Sequence, residues 1–558
     1  MSSDLAAGNL YISNPMNEQY ITTPKRLVHN TIFNVITLIS GTVIAFFLIR
    51  FFLAELGEIK YGVWVLIGSI FQYRRLLDMG MNSSIDRYIP VNLARRDDNA
   101  IQRVVSTSVF FFAALAVVLA LLTLLLYDNI GTWFSIAPEV VGPAGGLVLV
   151  VGFSFALAMP LQVSSALLCG LQRYDILNLT ELLMLLLRTV LVIVLLQQGC
   201  GLLTLGMVFG GSEILVKVVQ FVFAWKLLPK VSISFRNVDL PLLKEMLAYG
   251  VNTCLYTTGG LLILKATDLV IAIFIGTAEV SQFSVAAAGI FLLAQLLRAF
   301  TTAIKPAVSD LDARQEHSHV REISFLMQKY SLLLIVPAAC FFIVMGNEFL
   351  QVWVGGKFQD PNVVSSMAVC LAVLTVGHGL RLAQYSNFLV LVGKGDHRIF
   401  GLLTVLTGLL SVAASVVCVK VFHLGLLAIA WASCLPMAII SGVVLPIYFN
   451  TKMRISVRES VVRIWWPALL GCAPAIVLIV AWKYFDSPVS WLSLGTVAAV
   501  AAGLTCVSAW CFSMTPRERQ RLIKTLVLRR KGPIDPAGLP DRLAIQIQNR
   551  ELPIIQKE

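Results

Sequence analysis

Eight basic residues lie inside otherwise apolar stretches of this chain: Arg50, Arg74, Arg75, Arg188, Lys217, Lys265, Arg298 and Arg381. A charged side chain at the centre of a bilayer costs about 2.5–3.5 kcal/mol, so such residues face a wet interior, pair with acids or hold an anion. Three acids accompany them. Asp78 follows Arg74 by four positions and Arg75 by three, Asp268 follows Lys265 by three, and Glu213 precedes Lys217 by four. On a helix these spacings put acid and base on one face. The balance is nevertheless uneven, because Arg50, Arg74, Arg75, Lys265 and Arg298 share only Asp78 and Asp268 within their own stretches, a surplus of three positive charges. A buried cationic surplus calls for an anion, and the planar guanidinium fork matches phosphate oxygens. Those five bases are the expected anion-binding set. Arg188, Lys217, Arg381 and Asn82 form a secondary set, and Asp78, Asp268 and Glu213 are expected to pair or to couple a cation.

The stretch FQYRRLLDMGMNSSIDRYIP at 71–90 concentrates this pattern. At 100° per residue, Arg74, Arg75, Asp78, Asn82 and Asp86 fall within an arc of about 120°, so a continuous helix would carry one polar stripe. Glu181 is a further candidate for coupling, and His378 reads as either a proton relay or a packed core histidine. No nucleophile and base stand in a catalytic pattern, so no catalytic residue and no cofactor is expected.

The elements that must position these residues are membrane spans. The chain has 558 residues, 58% hydrophobic and 13% charged, with a mean hydropathy of +0.82. That composition belongs to a chain living mostly in lipid. Taking about 20 apolar residues per crossing, fourteen spans are expected: 28–54, 61–90, 104–127, 143–170, 176–197, 202–226, 243–275, 281–305, 324–346, 362–392, 399–420, 424–449, 462–483 and 489–512. The positive-inside rule tests the count. Of 43 Lys and Arg residues, 31 fall in the tails and alternate loops, 4 (Lys60, Lys357, Lys420 and Lys483) on the other side and 8 within spans. Both termini are therefore expected in the cytoplasm, without a cleavable signal peptide.

The asymmetry also accounts for the net charge of +12, and no aromatic-interleaved basic patch points to nucleic acid. Ten cysteines stand singly with no C-x-x-C pair, so neither disulfides nor a metal site is expected. There is no G-x-x-x-x-G-K-[ST] loop, which excludes an ATPase unit within the chain. The polar stretch between spans 6 and 7 divides the chain into a tail (1–27), a first lobe (28–226), a linker (227–242), a second lobe (243–450), spans 13 and 14 (451–512) and a basic tail (513–558). A weak repeat joins the lobes, Gly57 then Tyr61 in the first and Gly276 then Phe283 in the second. In the last tail, Thr515, Pro516 and Glu518 spell a helix start with a capping box, ahead of an amphipathic basic helix suited to an anionic leaflet.

Several stretches taken in order resemble a known family: FFLAELGEIKYGVWVLIGSI, LLDMGMNSSIDRYIP, GLQRYDILN, DLVIAIFIGTAEVSQFSVAAA and GNEFLQVWVGGKF. Over residues 28–450 the chain resembles the Wzx-type polysaccharide flippases of the multidrug, oligosaccharidyl-lipid and polysaccharide exporter superfamily. The resemblance implies an all-α fold with two pseudosymmetric six-helix lobes around a central cavity, plus two further helices. It implies transport of a polyprenyl-pyrophosphate-linked oligosaccharide across a bacterial inner membrane by alternating access, alongside a polymerase and glycosyltransferases, with the chain acting as a monomer. In such relatives cavity charge comes largely from spans 1, 2, 7 and 8, which points again to Arg50, Arg74, Arg75, Lys265 and Arg298; Asn82, Ser83, Asn252 and Gln295 would meet sugars. A drug exporter on the same fold and a membrane-embedded glycan polymerase or ligase are the rival readings, the first disfavoured by a basic cavity and the second by short external loops.

Overall fold

The computed structural model describes residues 24–520 except 230, 302, 303, 359, 397 and 486–489, together with Ile523; side chains are described from Ile36 onward, without those of 252, 253, 305–307 and 361. The first tail, the side chain of Asn252 and most of the basic tail lie outside this set. Among the described residues there are helices and turns and no strand. Thirteen helical stretches are long and apolar enough to cross a membrane. The first of them, Ile36–Leu77, is two crossings. In one straight helix Phe52 and Trp64 would stand about 18 Å apart at 1.5 Å per residue. Their ring centroids are 6.3 Å apart, and Phe52 and Tyr61 are equally close. The chain folds back at Gly57, whose φ of 74° only glycine adopts freely. The fourteen expected spans are thereby present, in a multi-pass membrane protein.

Three spans that hydropathy reads as continuous are broken. Span 2 is helical to Gln72, again over Arg74–Leu77, and resumes at Met81–Ala94; between them Met79 and Gly80 both take left-handed backbone, φ 48° and 79°. The Asp78 carboxylate secures this turn, accepting from Gly80 N at 2.6 Å and Asn82 Nδ2 at 2.7 Å. The single polar stripe expected of span 2 is therefore interrupted. Span 4 runs Pro138–Ala158 and restarts through a tight turn at Pro160–Gln162, where the missing proline N–H breaks the ladder. Span 10 divides at Gln384 into Pro361–Ala383 and Tyr385–Gly393.

The breaks in spans 4 and 10 fall at equivalent places in two runs of six, and the loops repeat as well. Arg96 and Gln315 both have left-handed backbone, and they are separated by the same 219 positions as Gly57 and Gly276. Around them the helix ends close identically, Arg95 N to Val91 O and Asp97 N to Asn92 O in one, Arg314 N to Asp310 O and Glu316 N to Leu311 O in the other. Close packing supports the frame: a side-chain carbon on Gly210 would run into Ser154 of span 4, so spans 4 and 6 meet through glycine. Spans 13 and 14 pack on span 9, held by Lys483 to Glu348 at one end and Arg321 to Glu459 at the other.

Candidate functional site

A cavity of about 600 Å³ opens where spans 1, 2, 5 and 6 meet span 8 of the second half. It follows span 1 from Thr37 to Phe52, roughly 22 Å at 1.5 Å per residue. Most of its wall is apolar or aromatic: Phe52, Tyr61, Trp64, Phe209 and Phe291. Arg188 is its one charged lining residue among those described. The guanidinium lies 4.6 Å above the Phe209 ring, and Glu213 is near enough behind it to interact electrostatically. Two polar atoms in the wall, Thr37 Oγ1 and Gln295 Oε1, are buried without a hydrogen-bond partner. No protein group bonds these two atoms, so both are available to a ligand's hydroxyls, and a buried polar atom without a partner costs about 1–3 kcal/mol.

None of the five expected primary residues lines this cavity. Arg74 is turned to the first half, its Nη2 3.5 Å from Glu213 Oε1 and its guanidinium 4.2 Å over Phe155. Lys265 pairs with Asp268 at 3.2 Å, and Asp268 also accepts from Ser69 Oγ at 2.7 Å. Arg50, Arg75 and Arg298 are exposed, with no ion-pair partner among the described residues. The acids differ from their sequence neighbours' pull as well. Asp78 accepts its hydrogen bonds from its own turn and acts on Arg74 and Arg75 only through longer-range electrostatics, and Glu213 pairs with Arg74 of span 2 rather than with Lys217, which bonds Ser165 Oγ at 2.7 Å and Gln220 Oε1 at 3.3 Å. Arg381 lies in the second half with its Nε buried and unpartnered; His378 is buried near it. The aromatic walls at Trp64 and Phe209 were not singled out from sequence, since aromatics at helical spacing read equally as core.

The two halves touch at both ends of the bundle. Toward Gly57, Gln282 Nε2 donates to Glu58 Oε1 at 2.6 Å and Ser135 N to Ala272 O at 2.8 Å. At the opposite end Ser84 Oγ donates to Met246 O at 2.5 Å, Tyr88 OH to Glu245 Oε1 at 2.5 Å, and Arg87 sits 4.5 Å over Tyr249. The cavity lies between these seams.

Three likenesses bear on what such a bundle is. The solved structure described as "Lipid II flippase MurJ, inward closed conformation" superposes with a TM-score of 0.65 at 13% identity, covering 85% of this chain and 98% of that one. An inward-facing multidrug resistance MATE family transporter of the MOP superfamily gives a TM-score of 0.63 at 16% identity, covering 75% and 98%. At such identities the likeness is one of fold. Among curated proteins, the uncharacterized membrane protein EpsK of Bacillus subtilis (strain 168) is 20% identical over 319 residues, 56% of this chain and 61% of EpsK, so the match spans less than two thirds of that relative. Residues 56–362, just over half of the chain, match the family model described as "Polysaccharide biosynthesis protein", and the chain belongs to that polysaccharide biosynthesis family.

Proposed function

We propose that this chain is a flippase that carries a polyprenyl-pyrophosphate-linked oligosaccharide from the inner to the outer leaflet of a bacterial cytoplasmic membrane, for exopolysaccharide, O-antigen or capsule assembly. The observation that carries the reading is the cavity between the halves, with one guanidinium among aromatic rings and two unpaired polar atoms in its wall. Arg188 meets phosphate, aromatic faces and the Gln295 amide meet sugar, and the polyprenyl chain stays in lipid. A cationic drug would find a base here, which weighs against an exporter of such compounds. Alternating access follows from parting one seam while the other holds. In this reading the lobes are residues 28–226 and 243–450 and both termini are cytoplasmic, a placement the distribution of Lys and Arg supports. Glycosyltransferases supply the substrate and a polymerase consumes it, with the chain working as a monomer.

The test is reconstitution into vesicles with a fluorescent lipid-linked oligosaccharide, reading its crossing by quenching from outside. Crossing above that of protein-free vesicles, reduced by Arg188→Gln, is the expected result. Equal crossing with and without protein would refute the reading.

A further inference from the structure

The linker between the two runs of six spans is fastened along its length. Leu228 and Val231 are buried in the core, and Ile233 packs against it. The polar residues are pinned to span 3, the helix Asp98–Trp133. Gln102 Nε2 donates to Ser232 Oγ, Ser234 N to Ser106 Oγ at 3.3 Å, and Asp239 N to Thr107 Oγ1 at 3.0 Å. Residues 231–239 thus form a strap whose inward side is fixed, and that fixes its outward side too. Phe235 and Arg236 are exposed, as are Leu240 and Pro241 just beyond.

Phe235 is 75% exposed and Leu240 68%, and the Phe235 ring stands edge-on to Phe110 with centroids 5.2 Å apart. Phe110 shares a face of span 3 with Ala114, Val117 and Leu121, all three exposed, so this face is turned to lipid. Phe110 also stands seven residues past Arg103, roughly 10 Å further along the helix at 1.5 Å per residue. Phe235 therefore meets acyl chains while Arg103 stands at headgroup level. Arg236 joins Arg103 there, because the two line one cavity of about 450 Å³ together with Asp239 and Leu240. Asp239 is the one acid in its wall among the described residues, and both its oxygens are engaged at home: Oδ1 accepts from Leu242 N at 3.0 Å, and Oδ2 lies 3.7 Å from Arg103 Nη1. Arg236 has no ion-pair partner among the described residues, and Lys226 and Lys244 at the two ends of the linker are exposed as well. The cavity shares no lining residue with the one between the halves.

We propose that the strap is a binding site for an anionic phospholipid of the cytoplasmic leaflet, with the phosphate between Arg103 and Arg236 and one acyl chain along Phe235, Leu240 and the Phe110 face of span 3. Charge complementarity selects this occupant: an open, net-positive cavity sits at headgroup depth, and exposed apolar side chains lie directly beneath it. The guanidinium fork suits the phosphate oxygens, and the leaflet supplies the lipid without any route through the bundle. Occupation ties the segment that joins the two halves to the membrane surface, whatever the chain transports.

The experiment uses the full chain in phosphatidylcholine nanodiscs carrying a small share of either phosphatidylglycerol or phosphatidylcholine with a diazirine on one acyl chain. After illumination, adducts are located by peptide mass spectrometry. On the peptides that contain Phe235 and Phe110, phosphatidylglycerol should label at least about fivefold more than phosphatidylcholine, as two basic groups at the surface predict. That excess should fall at least about fivefold in Arg236→Gln and in Arg103→Gln, with Arg236→Lys retaining part of it. Arg236→Gln breaks no ion pair among the described residues, so it remains informative if loss of the Arg103 and Asp239 pair disturbs the strap. Equal labelling by the two lipids overturns the proposal, and so does unchanged phosphatidylglycerol labelling in Arg103→Gln/Arg236→Gln. Displacement of the label by farnesyl diphosphate but not by excess phosphatidylglycerol assigns the strap to a diphosphate lipid and overturns it too. The readout is independent of substrate crossing, so this site and the flippase reading stand or fall separately.

Discussion

Gly80 of span 2 and Gly250 of span 7 meet backbone to backbone. A side-chain carbon on Gly80 would lie 2.6 Å from Gly250 Cα, and one on Gly250 would lie 2.6 Å from Met79 O, so neither position has room for any side chain. Gly80 also takes φ 79°, where an L-residue costs about 1–2 kcal/mol. The contact begins a seam that continues through Ser84 with Met246 and Tyr88 with Glu245, and it sits directly after the break in span 2.

That seam has to part if transport alternates, which gives a direct prediction. In a Tyr88→Cys/Glu245→Cys double variant, a short reducible bis-methanethiosulfonate linker should cut substrate crossing at least about tenfold, with recovery on reduction. The two single variants control for the native cysteines. Crossing that persists in fully linked protein would place the moving seam elsewhere. Gly80→Ala should instead hold the seam apart, read as faster labelling of Tyr88→Cys by a water-soluble thiol reagent.

The Lys265, Asp268 and Ser69 cluster predicts a stability effect. The Asp268 side chain is only 4% exposed and links span 7 to span 2 through Ser69. Asp268→Ala leaves Lys265 uncompensated, with an expected loss of about 3–5 kcal/mol. Lys265→Met/Asp268→Leu should lose less than Asp268→Ala alone, since the stranded charge is gone. Thermal unfolding followed by tryptophan fluorescence in detergent checks both.

Arg74 and Arg188 should separate by phenotype. Arg188 lines the cavity, so Arg188→Gln is expected to slow crossing about tenfold or more while the fold stays intact, the worth of one charge-assisted hydrogen bond. Arg74 is held by Glu213 and Phe155, so Arg74→Gln should lower thermal stability, and Arg74→Gln/Glu213→Gln should restore part of it. Crossing rates and melting curves on the same preparations tell the two apart.

A fourth prediction concerns the last helix among the described residues, which begins at Pro516. Thr515 and Glu518 cap each other, Thr515 N to Glu518 Oε2 at 3.0 Å and Glu518 N to Thr515 Oγ1 at 3.4 Å, and Lys329 of span 9 grips Glu518 and Ser513 O. Lys329→Met should release this turn and speed tryptic cleavage at Arg517 and Arg519 at least about fivefold, because local opening no longer breaks an ion pair. Unchanged cleavage would show that capping alone holds it.

What was readable without coordinates was the part each segment decides by itself. Hydropathy and the alternation of Lys and Arg set the fourteen spans because insertion into lipid tests one segment at a time. The Lys265 and Asp268 pair, the Thr515 and Glu518 cap and the Gly57 and Gly276 repeat are local or periodic, and they stood in the sequence at their proper spacing. The break in span 2 was less legible, since Met79 is an ordinary helical residue until Asp78 bonds back onto Gly80 N. Which bases line the cavity was legible only in part, since Arg188 stood in the secondary set and the sequence ranked it below Arg74. Arg74 finds Glu213 139 positions away, and Arg188 rather than Arg74 turns to the space between the halves. Depth along a helix follows from counting residues, but the rotation of that helix and the identity of its neighbour follow only from packing fourteen of them together. Electrostatic partners are chosen across that packing, so the sequence counted the buried charges and the tertiary structure decided which of them are paired and which line the cavity.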